Sequence, residues 1–228
     1  MKLAFDPQPP VVAATSTGEG FPVRRIFCVG RNYAEHAREM GSDPQRDPPF
    51  FFTKWAETLI GDGAVLPYPQ ATSDFHYEVE LVAAIGKAGR DISSSAALDH
   101  VWGHAVGLDM TRRDLQAQAK EKGRPWDIGK NVEGSAPLGL LHAGSHFAQG
   151  EILLSVNGVV RQRADIADLI WPVADVIAFL SRLYTLHPGD LIYTGTPAGV
   201  GPVVPGDVIN ASIAGLTPLT ITIGPVAA

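Results

Sequence analysis

The chain of 228 residues contains one cysteine, Cys28. A lone thiol cannot close an intrachain bridge, so the fold must hold without disulfides, and a reducing compartment is expected. Cys28 lies in the apolar segment Arg25-Ile26-Phe27-Cys28-Val29 and reads as a buried small hydrophobe rather than a nucleophile. Charge is also scarce, at 18% of residues. Basic residues number 18 against 24 acidic ones, for a net charge of −6. With no basic stripe, this balance argues against a nucleic-acid partner. Lys120, Lys122 and Arg124 stand among Glu121, Gly123 and Pro125, which reads as the solvated end of a helix. No apolar run approaches the roughly 20 residues of a membrane span. Lys2 is followed by Asp6, Pro7, Pro9 and Pro10 rather than by the apolar stretch of a signal peptide. The expectation is a cytoplasmic protein with no membrane partner.

What the chain has in quantity is glycine (24) and proline (18), recurring between short apolar runs. This punctuation predicts many strands and turns with few helices, a mixed α/β fold that is predominantly β. Residues 1–24 read as an N-terminal arm or short strands, and 25–228 as one domain. Strands are expected at 25–29, 50–53, 75–86, 103–110, 191–194, 207–213 and 218–223. Leu66-Pro67-Tyr68-Pro69 reads as a turn, and Asn157-Gly158 as the tip of a hairpin. Asn32-Tyr33-Ala34-Glu35 resembles a capping box that opens a helix over about 33–40, ending at Gly41 before a polar loop over 42–49. Short helices are expected over 93–102 and from about 111 to 122. Trp171-Pro172 opens an amphipathic helix whose core stripe is Val173, Val176, Ile177, Leu180 and Leu183.

Three carboxylates carry the chemistry. Glu78 and Glu80 are two apart in Phe75-His76-Tyr77-Glu78-Val79-Glu80-Leu81, so they share one face of a strand. Asp109 ends a second apolar segment. Such a doublet also fits a solvated strand face, but like charges this close repel unless a cation accommodates them. Three hard oxygen ligands without cysteine favour Mg²⁺ or Mn²⁺ over Zn²⁺. His76 has the parity of a fourth ligand or of a hydrogen-bonded structural histidine.

His36 and Glu39 are three apart on the expected helix. A carboxylate beside an imidazole fixes its tautomer and suits a general base, although an exposed ion pair would have the same spacing. Lys130, in Ile128-Gly129-Lys130-Asn131, is either a surface lysine or a donor to a developing oxyanion. Thr194-Gly195-Thr196-Pro197-Ala198-Gly199-Val200-Gly201 is either a plain turn or a loop whose amides hold a carboxylate or enolate oxygen. It lacks the lysine of a phosphate loop. Arg113 and Gln116 are placed to reach a carboxylate or carbonyl near the acids.

These segments, in this order, resemble the fumarylacetoacetate hydrolase family. The carrying pieces are Phe27-Cys28-Val29-Gly30-Arg31-Asn32-Tyr33, His36-x-x-Glu39, Tyr77-Glu78-Val79-Glu80-Leu81, Asp109-Met110-Thr111, Lys130 and Gly189-Asp190-Leu191-Ile192-Tyr193-Thr194-Gly195-Thr196-Pro197-x-Gly199-Val200-Gly201. They cover most of 25–223, and the likeness is to the family's acylpyruvate and fumarylpyruvate hydrolases. The resemblance implies a β-roll with a few short helices, a homodimer, and one Mg²⁺ or Mn²⁺ per subunit on Glu78, Glu80 and Asp109. It implies a water-activating pair, His36 and Glu39, on a lid helix, and an oxyanion-stabilising Lys130. It places Arg31, Tyr33, Lys54, Arg113, Gln116 and Thr196 at substrate-contacting positions, for a 2,4-dioxo acid substrate. Oxaloacetate decarboxylation and oxo-acid tautomerisation are alternatives on the same site; a non-catalytic β-domain with a structural cation is the alternative of another class. The sequence departs from the family at Trp55, where proline usually follows the lysine, which leaves the shape of one pocket wall open.

Overall fold

Strand Val79–Ile85 is buried at every position, with no polar face. Burial on both sides is the mark of a central strand covered by two layers. The computed structural model, which describes residues 3–39, 48–144 and 146–226, shows both layers. The strand lies inside a six-stranded sheet ordered His142–Ala143, Val101–Leu108, Val79–Ile85, Asp190–Tyr193, Arg25–Gly30, Phe50–Lys54. Alternate side chains go to opposite cores. Val79, Leu81, Ala83 and Ile85 join one cluster, while Val82 and Ala84 join the other.

The first cluster is closed by a five-stranded sheet ordered Val159–Asp165, Glu151–Val156, Val208–Ile213, Leu219–Val226, Val65–Tyr68, and by helix Val173–Leu183. The second is closed by Ala13 and Phe21 of the hairpin Val12–Ala14/Gly20–Pro22, with Leu138 and Leu141. The N-terminal arm is thus a hairpin that covers one core. Strands dominate and the helices are few and short, as the glycine and proline punctuation predicts.

Register sets where the chemistry gathers. Val79 pairs with Leu108, so Asp109 follows at the same end of the sheet as Glu78 and Glu80. Tyr193 pairs with both Val82 and Cys28, and Gly30 pairs with Phe50. The start of strand Val79–Ile85 and the ends of three neighbours therefore open on one common edge. Asn157 and Gly158 form the expected hairpin tip, with φ of 50° and 78°. Both values are positive, as a type I′ turn requires.

Several expectations are corrected. The long strand breaks at Glu78, between Phe75–Tyr77 and Val79–Ile85. Leu66-Pro67-Tyr68 is strand, not turn, and it pairs on one side only. An edge position tolerates the missing N–H of Pro67. Leu183 is exposed rather than part of the helix stripe. Ser94–His100 is a 3₁₀ helix. The helix Ala34–Glu39 forms as expected; its predicted end at Met40–Gly41, and residues 42–47 of the loop, lie outside the described residues.

Candidate active site

Glu78, Glu80 and Asp109 are all buried, and each offers an oxygen within 4.8 Å of the others. Local backbone explains the convergence. Glu78 occupies the strand break, where its carbonyl accepts from the Asp109 N–H at 2.9 Å and locks the two acids together. Glu80 projects from the sheet, and its Oε2 accepts from the Gly195 N–H at 2.7 Å. Gly195 has a φ of +103°, and a Cβ there would stand 2.7 Å from the Cβ of Asn32, so only glycine brings this amide close. Asn32 does not cap the helix as expected. Its amide donates to Trp171 O and Thr194 O and accepts from the Trp171 N–H, stitching two loops behind the acids.

Three cations face the three acids. Lys130 Nζ donates to Glu78 Oε2 (2.8 Å), Asp109 Oδ2 (2.7 Å) and Thr111 Oγ1 (2.8 Å). An ammonium has three protons, so in this arrangement none remains for an oxyanion, and Lys130 is no surface lysine. Arg113 pairs with Glu78 and donates to Gln116 Oε1 at 2.7 Å. Lys54 is fully buried behind Asp109 and does not line the pocket. Its Nζ donates to Met110 O (3.0 Å), Ser135 Oγ (2.9 Å) and Lys130 O, and it lies 3.0 Å from Asp109 Oδ1.

The acids differ in proton affinity. Burial opposes ionisation of Glu78, but Lys130 and Arg113 outweigh it and hold the carboxyl below the usual range. Glu80 is pushed well up by burial, then by the charges of Asp109 and Glu78. Asp109 Oδ1 meets Lys54 as an ion pair but has no hydrogen-bond donor among the described residues. A buried oxygen without a donor, beside a carboxyl that burial and its neighbours push toward protonation, fits a hard divalent cation of the Mg²⁺ or Mn²⁺ type.

His36, Arg31, Gln116 and Thr196 line the pocket above the acids together with Glu78 and Glu80. His36 Nδ1 lies 3.1 Å from Glu39 Oε2, so the ring's other nitrogen is the one left for chemistry. Glu39 in turn accepts from the Gly199 N–H at 3.2 Å, which docks the helix on the glycine loop. That loop does hold carboxylates through its amides, and they are the protein's own: Glu80 at Gly195 and Glu39 at Gly199.

His76 is not part of the cluster. Its Nε2 pairs with Asp74 at 2.7 Å, and burial and Arg113 lower its proton affinity. Tyr33 is buried outside the pocket, its hydroxyl without a hydrogen-bond partner among the described residues. Trp55 is 57% exposed and does not line the pocket; its N–H donates to Asn131 Oδ1, a bond proline could not make. Gln162 escaped the sequence reading. Fully buried, it donates to Thr196 Oγ1 and Pro197 O and accepts from the Val79 N–H, joining the glycine loop to the strand that carries Glu80. Set between Arg161 and Arg163, it gave no apolar signal.

The family model "Fumarylacetoacetate (FAA) hydrolase C-terminal" matches residues 25–224. The chain belongs to the fumarylacetoacetate hydrolase family. Among curated relatives, a fumarylpyruvate hydrolase of Ralstonia sp. is 49% identical over 185 residues, covering 80% of this chain and 96% of the relative. A mitochondrial oxaloacetate decarboxylase of Dictyostelium discoideum is 41% identical over 196 residues, covering 85% and 90%. The crystal structure of fumarylpyruvate hydrolase from Pseudomonas aeruginosa in complex with Mn²⁺ and pyruvate superposes with a TM-score of 0.96 at 50% identity, covering 98% of this chain and 100% of that one. This family member is an enzyme of the carbon–carbon hydrolase type.

Proposed function

We propose that the enzyme hydrolyses fumarylpyruvate to fumarate and pyruvate. The observation that carries this is the His36–Glu39 pair, closed onto the pocket that holds the acidic cluster. Only a hydrolase needs to activate water there. Glu78, Glu80 and Asp109 would hold one Mg²⁺ or Mn²⁺, which when bound would supply Lewis-acid polarisation of the α-oxo acid end. His36, oriented by Glu39, takes a proton from water, and the resulting hydroxide attacks the C4 carbonyl. Lys130 exchanges one of its carboxylate bonds, to Glu78 or Asp109, and turns that ammonium proton to the C4 oxyanion. As that oxyanion collapses, the C3–C4 bond breaks and its electron pair leaves on C3. The proton held by His36 then returns to C3 and completes pyruvate. Gln116 and Thr196 contact the substrate from the pocket wall.

The test is incubation of purified protein with Mg²⁺ or Mn²⁺ and fumarylpyruvate. Equimolar fumarate and pyruvate are expected, at a kcat/KM at least tenfold above that for oxaloacetate loss. The likeness to the Dictyostelium decarboxylase supports a second reading, decarboxylation of oxaloacetate. Release of CO₂ as the faster reaction would establish it and reject the first.

A further inference from the structure

Each of the three guanidinium nitrogens of Arg113 has a partner. Nη2 pairs with Glu78, Nη1 donates to Gln116 Oε1 at 2.7 Å, and Nε donates to His76 Nδ1 at 3.4 Å. Arg113, Glu78 and Gln116 line the pocket, whereas His76 does not. The imidazole therefore holds the guanidinium from behind. An arginine keeps its protons, so the Nδ1 that accepts from Nε bears none. The ring is the tautomer protonated on Nε2, and it donates there to Asp74 Oδ1 at 2.7 Å. Asp74, His76 and Arg113 thus form a directed chain from a partly exposed carboxylate, through a buried ring, to the pocket wall. The backbone fastens both ends of this chain. His76 sits in the middle strand, Phe75–Tyr77, of a three-stranded sheet, opposite Thr111 on one side and Pro202 on the other. The Arg113 N–H donates to Asp74 O at 2.8 Å, and Asp114 accepts from Thr72 Oγ1 at 2.7 Å. The start of helix Arg113–Glu121 is thereby tied to the segment that carries the imidazole.

We propose that His76, itself oriented by Asp74, is a positioning residue that fixes the direction in which Arg113 presents its guanidinium fork to the carboxylate of an α-oxo acid. This rests on the dioxo-acid reading of the site. An arginine side chain has many rotamers, and a bond at Nε selects among them without using either outer nitrogen. Nη1 and Nη2 can then exchange Gln116 and Glu78 for substrate oxygens while Nε keeps its partner. His76 is the pivot of that exchange. A guanidinium ordered in advance binds a carboxylate more tightly than one that must be ordered on binding.

The experiment is a double-mutant cycle on the Mg²⁺-loaded protein: wild type, His76→Leu, Arg113→Met and the two together. His76→Asn is the conservative variant, because its Oδ1 takes the place of Nδ1 as acceptor. Calorimetric titration with pyruvate gives Kd, and turnover of fumarylpyruvate gives KM and kcat. His76→Leu weakens pyruvate binding and raises KM about tenfold or more, as loss of a hydrogen bond to a charged group does, with kcat little changed. In the Arg113→Met background the same substitution adds nothing, and His76→Asn restores most of the loss. Asp74→Ala, which alters a partly exposed side chain, raises KM in the same direction. A residue that merely supports its strand would act independently of the Arg113 side chain. Additive losses in the cycle, an Asn variant no better than Leu, or an Asp74→Ala protein with wild-type KM would therefore overturn the positioning role. A wild type that leaves fumarylpyruvate intact but shows the same non-additive cycle in pyruvate binding would reject the hydrolase reading and leave the positioning role standing.

Discussion

His36→Ala removes the proposed base without touching a carboxylate of the cluster. A positioned general base contributes about 10²–10⁴-fold, so kcat falls by that range while Mg²⁺ affinity, read by calorimetry, stays within a few-fold. Comparable losses of affinity and turnover would place His36 among the ligands instead. Glu80 has a different signature. Its carboxyl is pushed up by burial and by Asp109 and Glu78, so the free protein tends to keep a proton there that a cation must displace. Metal uptake therefore releases protons, and affinity weakens as pH falls. Titration in buffers of differing ionisation enthalpy measures the release, which disappears in Glu80→Gln along with most of the affinity. At this scale the residues with distinctive chemistry were legible: the Glu78–Glu80 doublet, Asp109, and the three-residue step from His36 to Glu39. Asn32 and Gln162 were not, because a buried amide works through backbone partners far along the chain. Asn32 reaches Trp171, 139 residues away, and Gln162 reaches Val79, 83 residues away.

Individual strands and helices reveal themselves as far as local pattern decides them. The Asn157-Gly158 tip and the Pro172-led helix formed where their residues placed them. The break at Glu78 was illegible, because the apolar run 75–85 continues on both sides and the kink is held by Arg113, Lys130 and Asp109, all distant in sequence. The strand around Pro67 was hidden too, since its one-sided pairing is a tertiary fact. Gln162 shows how elements are joined: it ties the strand Val159–Asp165 to the glycine loop. Gln162→Leu leaves the Val79 N–H and Pro197 O without these partners, at about 1–3 kcal/mol each. Urea unfolding is expected to show a loss of about 2–6 kcal/mol, with KM raised through displacement of Thr196. An unchanged midpoint would mean that water replaces the amide.

Across the whole molecule, the sheet is built from distant pieces. Strand Arg25–Gly30 pairs in parallel with Asp190–Tyr193, and the buried Asp190 accepts from Arg25 at 2.6 Å across 165 residues of chain. Local propensity predicts such strands but not their order, so the β-rich class was legible and the two-core layering was not. A cation that binds only the folded cluster stabilises the entire fold by linkage, about 2.7 kcal/mol at 100 times its Kd. For a chain of this size, that raises Tm by about 5–10 °C. Calorimetry with and without Mg²⁺ should show the shift in wild type and lose it in Glu80→Gln; a wild-type Tm indifferent to Mg²⁺ and Mn²⁺ would dismiss the cluster as a cation site.

Cys28 lies fully buried within the six-stranded sheet, and burial, then Asp109 and Glu80, push its thiol well above the usual range. Nature has thereby installed a tamper seal. An aromatic disulfide reagent should leave the native enzyme colourless for hours and react at once in denaturant. Slow colour under native conditions then clocks how often the sheet parts, with no engineered label.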